Sequence, residues 1–106
     1  MTPEEFVKEF KELKEYIQNG YFSKDSEFSR VDRLIKAGFN KEQIELTETI
    51  VSDALTDSLY TVLLGLDGCA SIGHNQEQYK LLDEEGNPIS GEIESYAWEQ
   101  FQEQNT

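Results

Sequence analysis

The longest helical pattern in the sequence covers residues 41–66 and reads KEQIELTETIVSDALTDSLYTVLLGL. At about 100° per residue its apolar side chains fall on one broad face, which comprises Ile44, Val51, Ala54, Leu55, Leu59, Val62, Leu63 and Leu66. Further apolar residues lie on the far side, at Leu46, Ile50, Tyr60 and Leu64. The pattern predicts a central helix that other elements contact from more than one direction.

Both ends of this pattern carry boundary signals. Asn40, followed three residues later by Gln43, is typical of a capped helix start, and Asp67-Gly68 predicts the end. Glu48 would point into the apolar face if the helix ran straight. The sequence therefore leaves open whether the helix is continuous or bends near residues 46–48.

Two more helices are predicted upstream. Thr2, Pro3 and Glu5 have the spacing of a capping box with proline in the first turn. The apolar stripe of this first helix comprises Phe6, Phe10, Leu13 and Ile17, and Gly20 is a natural stop. A second helix is predicted over about residues 26–37.

The segment after the central helix predicts the only β-structure. Residues 79–82 and 89–90 flank a turn-rich stretch and read as a short hairpin. A last helix is predicted over residues 91–102, with a stripe of Ile93, Tyr96, Ala97 and Phe101. The predicted fold is one α+β domain, residues 1–106, mostly helical, with three to four helices and one small antiparallel β-hairpin before the C-terminal helix.

The composition indicates a small globular protein. Apolar residues make up 37% of the 106 positions, enough for one core without metal or disulfide support. Cys69 is the only cysteine, so no internal disulfide can form. The first residues lack the pattern of a signal peptide, and no apolar run is long enough to cross a bilayer. We expect a cytoplasmic protein.

The net charge of −13 is unevenly distributed. Residues 1–41 contain eight acidic and eight basic side chains, whereas residues 42–106 contain fourteen acidic side chains against Lys80 alone. Nucleic acid and anionic membranes would be repelled by this charge. A basic protein partner is the expected ligand, and the acidic part of the chain is where it should bind.

Candidate contact residues lie on the central and last helices. Asp53 and Asp57 are four residues apart and share one helix face with Tyr60. Two like charges at this spacing destabilise a helix slightly, so a basic partner could compensate them, although both could simply face water. Trp98 lies well away from the centre of the last stripe. It is a candidate contact residue if exposed, and the alternative is that it packs against the hairpin.

Catalytic and metal-binding patterns are absent from the sequence. His74 is the only histidine, and with Asp53, Asp57, Asp67 or Glu77 it could complete a mixed site, but no spacing matches a metal motif. Cys69 next to an apolar helix end is typical of a small buried residue. We expect no catalytic residue, no metal and no cofactor, and hence no enzyme.

One resemblance points to a class of binding protein. The stretch DSLYTVLLGLDG at residues 57–68, the pattern Y-x-L-L-D-x-x-G-N at residues 79–87 and a terminal acidic helix resemble the immunity proteins of bacterial polymorphic toxin systems. The resemblance covers residues 50–101. It implies an acidic protein that blocks a basic toxin by charge-complementary contact.

The sequence thus favours an immunity or inhibitor protein. Its predicted contact residues are Asp53, Asp57, Tyr60, Asp67 and Trp98. One alternative is a DNA-mimicking inhibitor from a phage or mobile element, which would occupy a nucleic-acid-binding enzyme. A second alternative is a small metal-dependent hydrolase that uses the acidic helix face.

Overall fold

The computed structural model describes residues 1–103, which form four helices. In chain order these are α1 (Pro3–Phe22), α2 (Val31–Lys36), α3 (Lys41–Leu66) and α4 (Ile93–Phe101). The predicted number of helices is therefore confirmed. None of the helices in this part of the chain is long and apolar enough to cross a membrane.

Both predicted capping boxes are present. At α1 the Glu5 N–H donates to Thr2 Oγ1 at 3.1 Å, and the Thr2 N–H donates to Glu5 Oε1 at 3.2 Å. At α3 the Gln43 N–H donates to Asn40 Oδ1 at 2.9 Å, and the Asn40 N–H donates to Gln43 Oε1 at 2.8 Å. These bonds satisfy N–H groups that a helix start otherwise leaves without a partner.

The central helix α3 is continuous over 26 residues. Glu48, which raised the possibility of a bend, is half-buried and accepts a long hydrogen bond of 3.5 Å from Gln18 Nε2 of α1. The neighbouring part of the α1–α3 interface is also polar, with Lys14 and Thr56 both buried. A carboxylate among polar side chains keeps hydrogen-bonding partners, so the helix continues past it without a break.

The core lies where α1, α3 and α4 meet. Its buried members are Val7, Leu63, Ile89, Ile93, Ala97 and Phe101. The predicted stripe of α4 is confirmed at three positions, because Ile93, Ala97 and Phe101 are fully buried. On α1 the buried face is rotated from the prediction: Val7 is fully buried and Leu13 is 44% exposed.

The predicted β-hairpin is wrong, because no strand forms among residues 1–103 and the fold is mostly helical rather than α+β. Leu82 and Pro88 make an isolated bridge, and Ile72 and Asn75 make another. The Asp83 side chain accepts the N–H groups of Glu85 and Asn87, and Pro88 has no N–H to donate. Backbone hydrogen bonds also cross the turn, from the Asp83 N–H to the Asn87 carbonyl and from the Ile89 N–H to the Leu81 carbonyl, but they do not extend into strands.

The second helix begins five residues later than predicted, at Val31. Before it, the Phe28 ring lies against α1 in the space that a Cβ on Gly20 would occupy. The Arg30 N–H donates to the Tyr21 carbonyl at 2.7 Å. Gly20 therefore admits an aromatic side chain, and α1 continues past it to Phe22.

The molecule is elongated, with extents of 49 × 27 × 26 Å. Helices α1 and α3 run antiparallel, since Gln18 contacts Glu48 and Val7 shares the core with Leu63. Helix α4 packs near the start of α1 and the end of α3. The short α2 packs near the end of α1 and the start of α3. Helices α2 and α4 therefore lie at opposite ends.

Candidate functional site

A cavity of about 550 Å³ opens between the end of α3 and the first turns of α4. Tyr60 on α3 and Trp98 on α4 contribute aromatic walls. The full lining comprises Tyr60, Asp67, Cys69, Gly91, Glu92, Glu94, Ser95 and Trp98. It is an open cleft that combines two aromatic rings with three carboxylates.

Asp67 holds the two sides of the cleft together. It is the C-cap residue of α3, and its carboxylate reaches the start of α4. There Oδ1 accepts the Gly91 N–H, and Oδ2 accepts the N–H groups of Ile93 and Glu94 at 3.1 and 3.0 Å. The N-cap residue of α4, Glu92, makes no side-chain cap of its own. Asp67 supplies that cap from a distant part of the chain, with a charge that suits a helix N-terminus.

Cys69 is paired with Glu94 inside the cleft. Its Sγ lies 2.8 Å from Glu94 Oε2, so the thiol donates a hydrogen bond to the carboxylate. This bond, with burial and the negative charges of Glu94 and Asp67, raises the pKa of Cys69 to about 11. The side chain is exposed rather than buried as the sequence led us to expect. At neutral pH it is a protonated thiol and a weak nucleophile.

The aromatic residues differ in exposure. Trp98 is 53% exposed, so the alternative that it packs away against the neighbouring turn is not what the structure shows. Tyr60 is half-buried, and its pKa is raised by burial first and then by the negative charge of Glu94. Glu94 lies four residues before Trp98, so both side chains share one face of α4.

The cleft is negatively charged and has no basic side chain in its lining. Within residues 1–103 the two ion pairs are Met1–Asp83 and Lys8–Glu4, neither of which belongs to the cleft. Aromatic faces beside carboxylates attract cations, and an arginine or lysine side chain is the protein group with this chemistry. The geometry therefore suits a cationic group.

The structure brings together three of the five predicted contact residues. Tyr60, Asp67 and Trp98 all line the cleft. Asp53 and Asp57 lie outside its lining and are exposed on α3. Burial and the charge of Lys11 lower the pKa of Lys14, and the Asp53 carboxylate partly offsets this.

Five residues of the cleft lining were not predicted from the sequence: Cys69, Gly91, Glu92, Glu94 and Ser95. Glu94 could have been found from its spacing of four to Trp98. Glu92 and Cys69 gave no such signal, because only the packing of α4 against the end of α3 places them beside Tyr60.

A possible metal donor set exists in the cleft. One ligand atom each from Asp67, Cys69 and Glu94 lies within 4.8 Å of the others. His74 is not among them and lies in an exposed segment. A metal-binding thiol must lose its proton, and here the raised pKa of Cys69 opposes that loss. Both oxygens of Asp67 also already accept backbone hydrogen bonds. The donor set as it stands suits a hydrogen-bond network better than a metal.

Comparison with known proteins gives no match to a family model, to a curated protein or to a solved structure. The resemblance of residues 50–101 to immunity proteins therefore stays a prediction.

Proposed function

We propose that this protein is a stoichiometric binding protein of the immunity or inhibitor type, and that its acidic aromatic cleft receives a cationic side chain of a basic partner. The observation that carries the proposal is the convergence of Tyr60, Trp98 and Glu94 on one cleft. These residues come from two helices whose separation in the sequence is large, and the cleft has no basic side chain of its own to neutralise it.

The two kinds of group in the cleft have separate parts in binding. An exposed tryptophan supplies a large rigid contact area and is among the residues that contribute most to interface affinity. The carboxylates attract a basic partner over a distance and raise its association rate more than its final affinity. The remaining acidic side chains of residues 42–106 add to this attraction.

An arginine side chain fits the cleft better than a lysine. Its planar guanidinium stacks on aromatic rings and donates paired hydrogen bonds to a carboxylate, whereas the lysine ammonium is a compact and strongly hydrated charge. A guanidinium between Tyr60 and Trp98 would donate to Glu94. In that complex the Cys69 thiol and the guanidinium share the Glu94 carboxylate.

The test uses a small probe, because it needs no knowledge of the partner. N-acetyl-arginine methylamide is titrated into the protein while backbone and indole NMR signals are recorded. We expect saturable shifts at Trp98, Tyr60 and Glu94 at millimolar probe. The citrulline analogue has the same shape without the charge, and it should give no saturable shifts.

A matched pair of variants ties the result to the cleft. Glu94→Gln removes a carboxylate of the cleft, and Glu45→Gln removes an exposed carboxylate of α3 outside it. We expect Glu94→Gln to weaken binding of the arginine probe about tenfold, the loss of one charge-assisted hydrogen bond. Glu45→Gln should leave it unchanged. Equal binding of the arginine and citrulline probes would contradict the proposal.

A further inference from the structure

A second cavity, of about 500 Å³, lies at the opposite end of the molecule. It is formed by the end of α1, by α2 and by the start of α3. Its walls are mostly apolar and include Phe22, Leu34, Phe39 and Val51. We call it the α2 groove. It does not share any lining residue with the acidic cleft.

Apolar side chains remain exposed around the α2 groove. Ile35 is 43% exposed and Phe39 is 37% exposed. On α3, Leu46 and Ile50 are 61% and 58% exposed, on a helix face about 100° from the groove-lining Thr47 and Val51. Isolated exposed apolar residues are ordinary, but a cluster beside a groove is typical of an interaction surface.

The charge of this end is opposite to that of the whole chain. Residues 28–41 contain Arg30, Arg33, Lys36 and Lys41 against Asp32 alone, in a protein of net charge −13. Arg30 is held over the Tyr21 ring, at 4.6 Å from its centroid. Arg33 and Lys36 are exposed, and neither forms an ion pair within residues 1–103. The α2 groove is therefore an apolar surface with free basic groups at its edge.

The α4 end of the same chain has the complementary chemistry. Residues 91–103 contain four carboxylates and no basic residue. Trp98 is the exposed aromatic side chain in this segment, and Glu94 and Glu99 are exposed beside it on the same helix. An indole ring flanked by carboxylates matches an apolar groove flanked by arginine and lysine.

We infer that the α2 groove binds the α4 end of a second copy of this chain, with Trp98 of one copy in the groove of the other and Glu94 and Glu99 opposite Arg33 and Lys36. Because the two surfaces lie at opposite ends of a molecule 49 Å long, the contact joins one copy to the next. The contact joins two different surfaces. Two copies that lie antiparallel can make it twice and form a closed dimer, whereas other arrangements add copies end to end.

The repulsion between two chains of −13 does not prevent this contact at physiological salt. The screening length is about 8 Å at an ionic strength of 0.15 M and about 30 Å at 0.01 M. At 0.15 M, charges more than a few screening lengths away contribute little. The charge pairs at the interface therefore determine whether the net electrostatic interaction between two copies is attractive. At 0.01 M the whole net charge of each copy is felt by the other. At 1 M the local pairs are screened as well.

Self-association would cover the acidic cleft, because Trp98 belongs to both surfaces. A basic partner would then compete with the second copy for the α4 end. This regulatory consequence rests on the proposed function, whereas the self-association itself does not.

Sedimentation velocity of the chain alone tests the inference, with no partner or arginine probe present. We expect association that is strongest near 0.15 M NaCl and weaker at both 0.01 and 1 M. Arg33→Glu and Trp98→Ala should each weaken it at least tenfold. Lys24→Glu makes the same charge change at an exposed position outside the groove, and it should have little effect. Circular dichroism confirms that each variant is folded.

Mixing the two variants distinguishes this contact from other modes of association. The Arg33→Glu chain keeps an intact α4 end, and the Trp98→Ala chain keeps an intact groove. A one-to-one mixture should form a dimer through that single intact contact, at a concentration at which neither variant alone associates. A protein that is monomeric at all three salt concentrations up to millimolar protein would overturn the inference. So would association that Arg33→Glu leaves unchanged.

Discussion

At the scale of single residues, Cys69 shows how one neighbour sets the chemistry of a side chain. An exposed thiol is ordinarily a reactive group, but here it donates to Glu94 and its pKa rises from 9.0 to about 11. Glu94 in turn lies at the edge of the cleft, where a cationic ligand would bind. The pKa of the thiol therefore reports whether the Glu94 carboxylate, which we propose to be functional, accepts its hydrogen bond.

The first prediction concerns the pH dependence of this thiol. The rate of alkylation by iodoacetamide should rise with pH toward a midpoint near 11, because only the thiolate reacts. Glu94→Gln removes the main cause of the raised pKa and should move the midpoint toward 9. Glu92→Gln, in the same cleft but not bonded to Cys69, should move it little. A midpoint near 9 in the wild-type protein would show that the hydrogen bond does not form in solution.

The raised pKa of Cys69 also makes the stability of the fold depend on pH. The folded protein holds the Cys69 proton more tightly than the unfolded chain does. The stability that the bond contributes is therefore fully present below about pH 9, the pKa of the unfolded thiol, and is lost as the pH rises toward 11.

At the scale of elements, α4 depends on contacts from outside itself. A helix of nine residues is not stable alone in water. Burial of Ile93, Ala97 and Phe101 fixes its position, and the Asp67 carboxylate satisfies the N–H groups at its start. Because α4 supplies one wall of the acidic cleft, the geometry of that cleft depends on Asp67.

The second prediction tests this cap. Asp67→Asn replaces one acceptor oxygen with an amide NH2 group, a donor that faces backbone N–H donors. The free energy of unfolding should fall by about 2 kcal/mol, the cost of leaving such groups without partners. Asp57→Asn makes the same chemical change on the exposed face of α3 and should alter it by less than about 0.5 kcal/mol. Urea denaturation followed by circular dichroism measures both. Equal effects would show that Asp67 is not a cap.

The elements also show what local sequence can and cannot predict. The boundaries of α3 follow from Asn40 and Gln43 at one end and Asp67-Gly68 at the other, because capping uses neighbouring residues. The prediction of a hairpin was wrong because a side chain competes for backbone hydrogen-bonding groups. Ser90 Oγ accepts the Leu81 N–H and donates to the Tyr79 carbonyl. Those backbone groups are thereby withdrawn from a ladder.

At the scale of the whole molecule, the charge is the dominant feature. The chain has 22 acidic side chains against nine lysine and arginine residues, yet residues 1–103 contain two ion pairs. Most carboxylates are exposed and few are paired, so they repel one another. Such self-repulsion lowers the stability of a compact state and is weakened by salt.

The third prediction follows from this repulsion. The melting temperature at micromolar protein should rise by about 4–8 °C between 0.01 and 0.15 M NaCl, which corresponds to about 1 kcal/mol in a domain of this size. The triple variant Glu45→Gln/Glu77→Gln/Glu84→Gln removes three exposed charges and should show a smaller rise. A melting temperature independent of salt, or an equal rise in the variant, would indicate that repulsion does not limit stability.

The sequence by itself determined the number of helices, the capping boxes of α1 and α3, most of the buried stripe of α4 and the division of charge along the chain. These features depend on residues within a few positions of one another, or on simple counting. Only the tertiary structure decided that Tyr60, Glu94 and Trp98 share one cleft, that Asp67 caps a helix 26 residues away, and that Asp53 and Asp57 stand apart. The direction in which α4 packs on the end of α3 fixes all three outcomes, and that packing depends on contacts between distant residues.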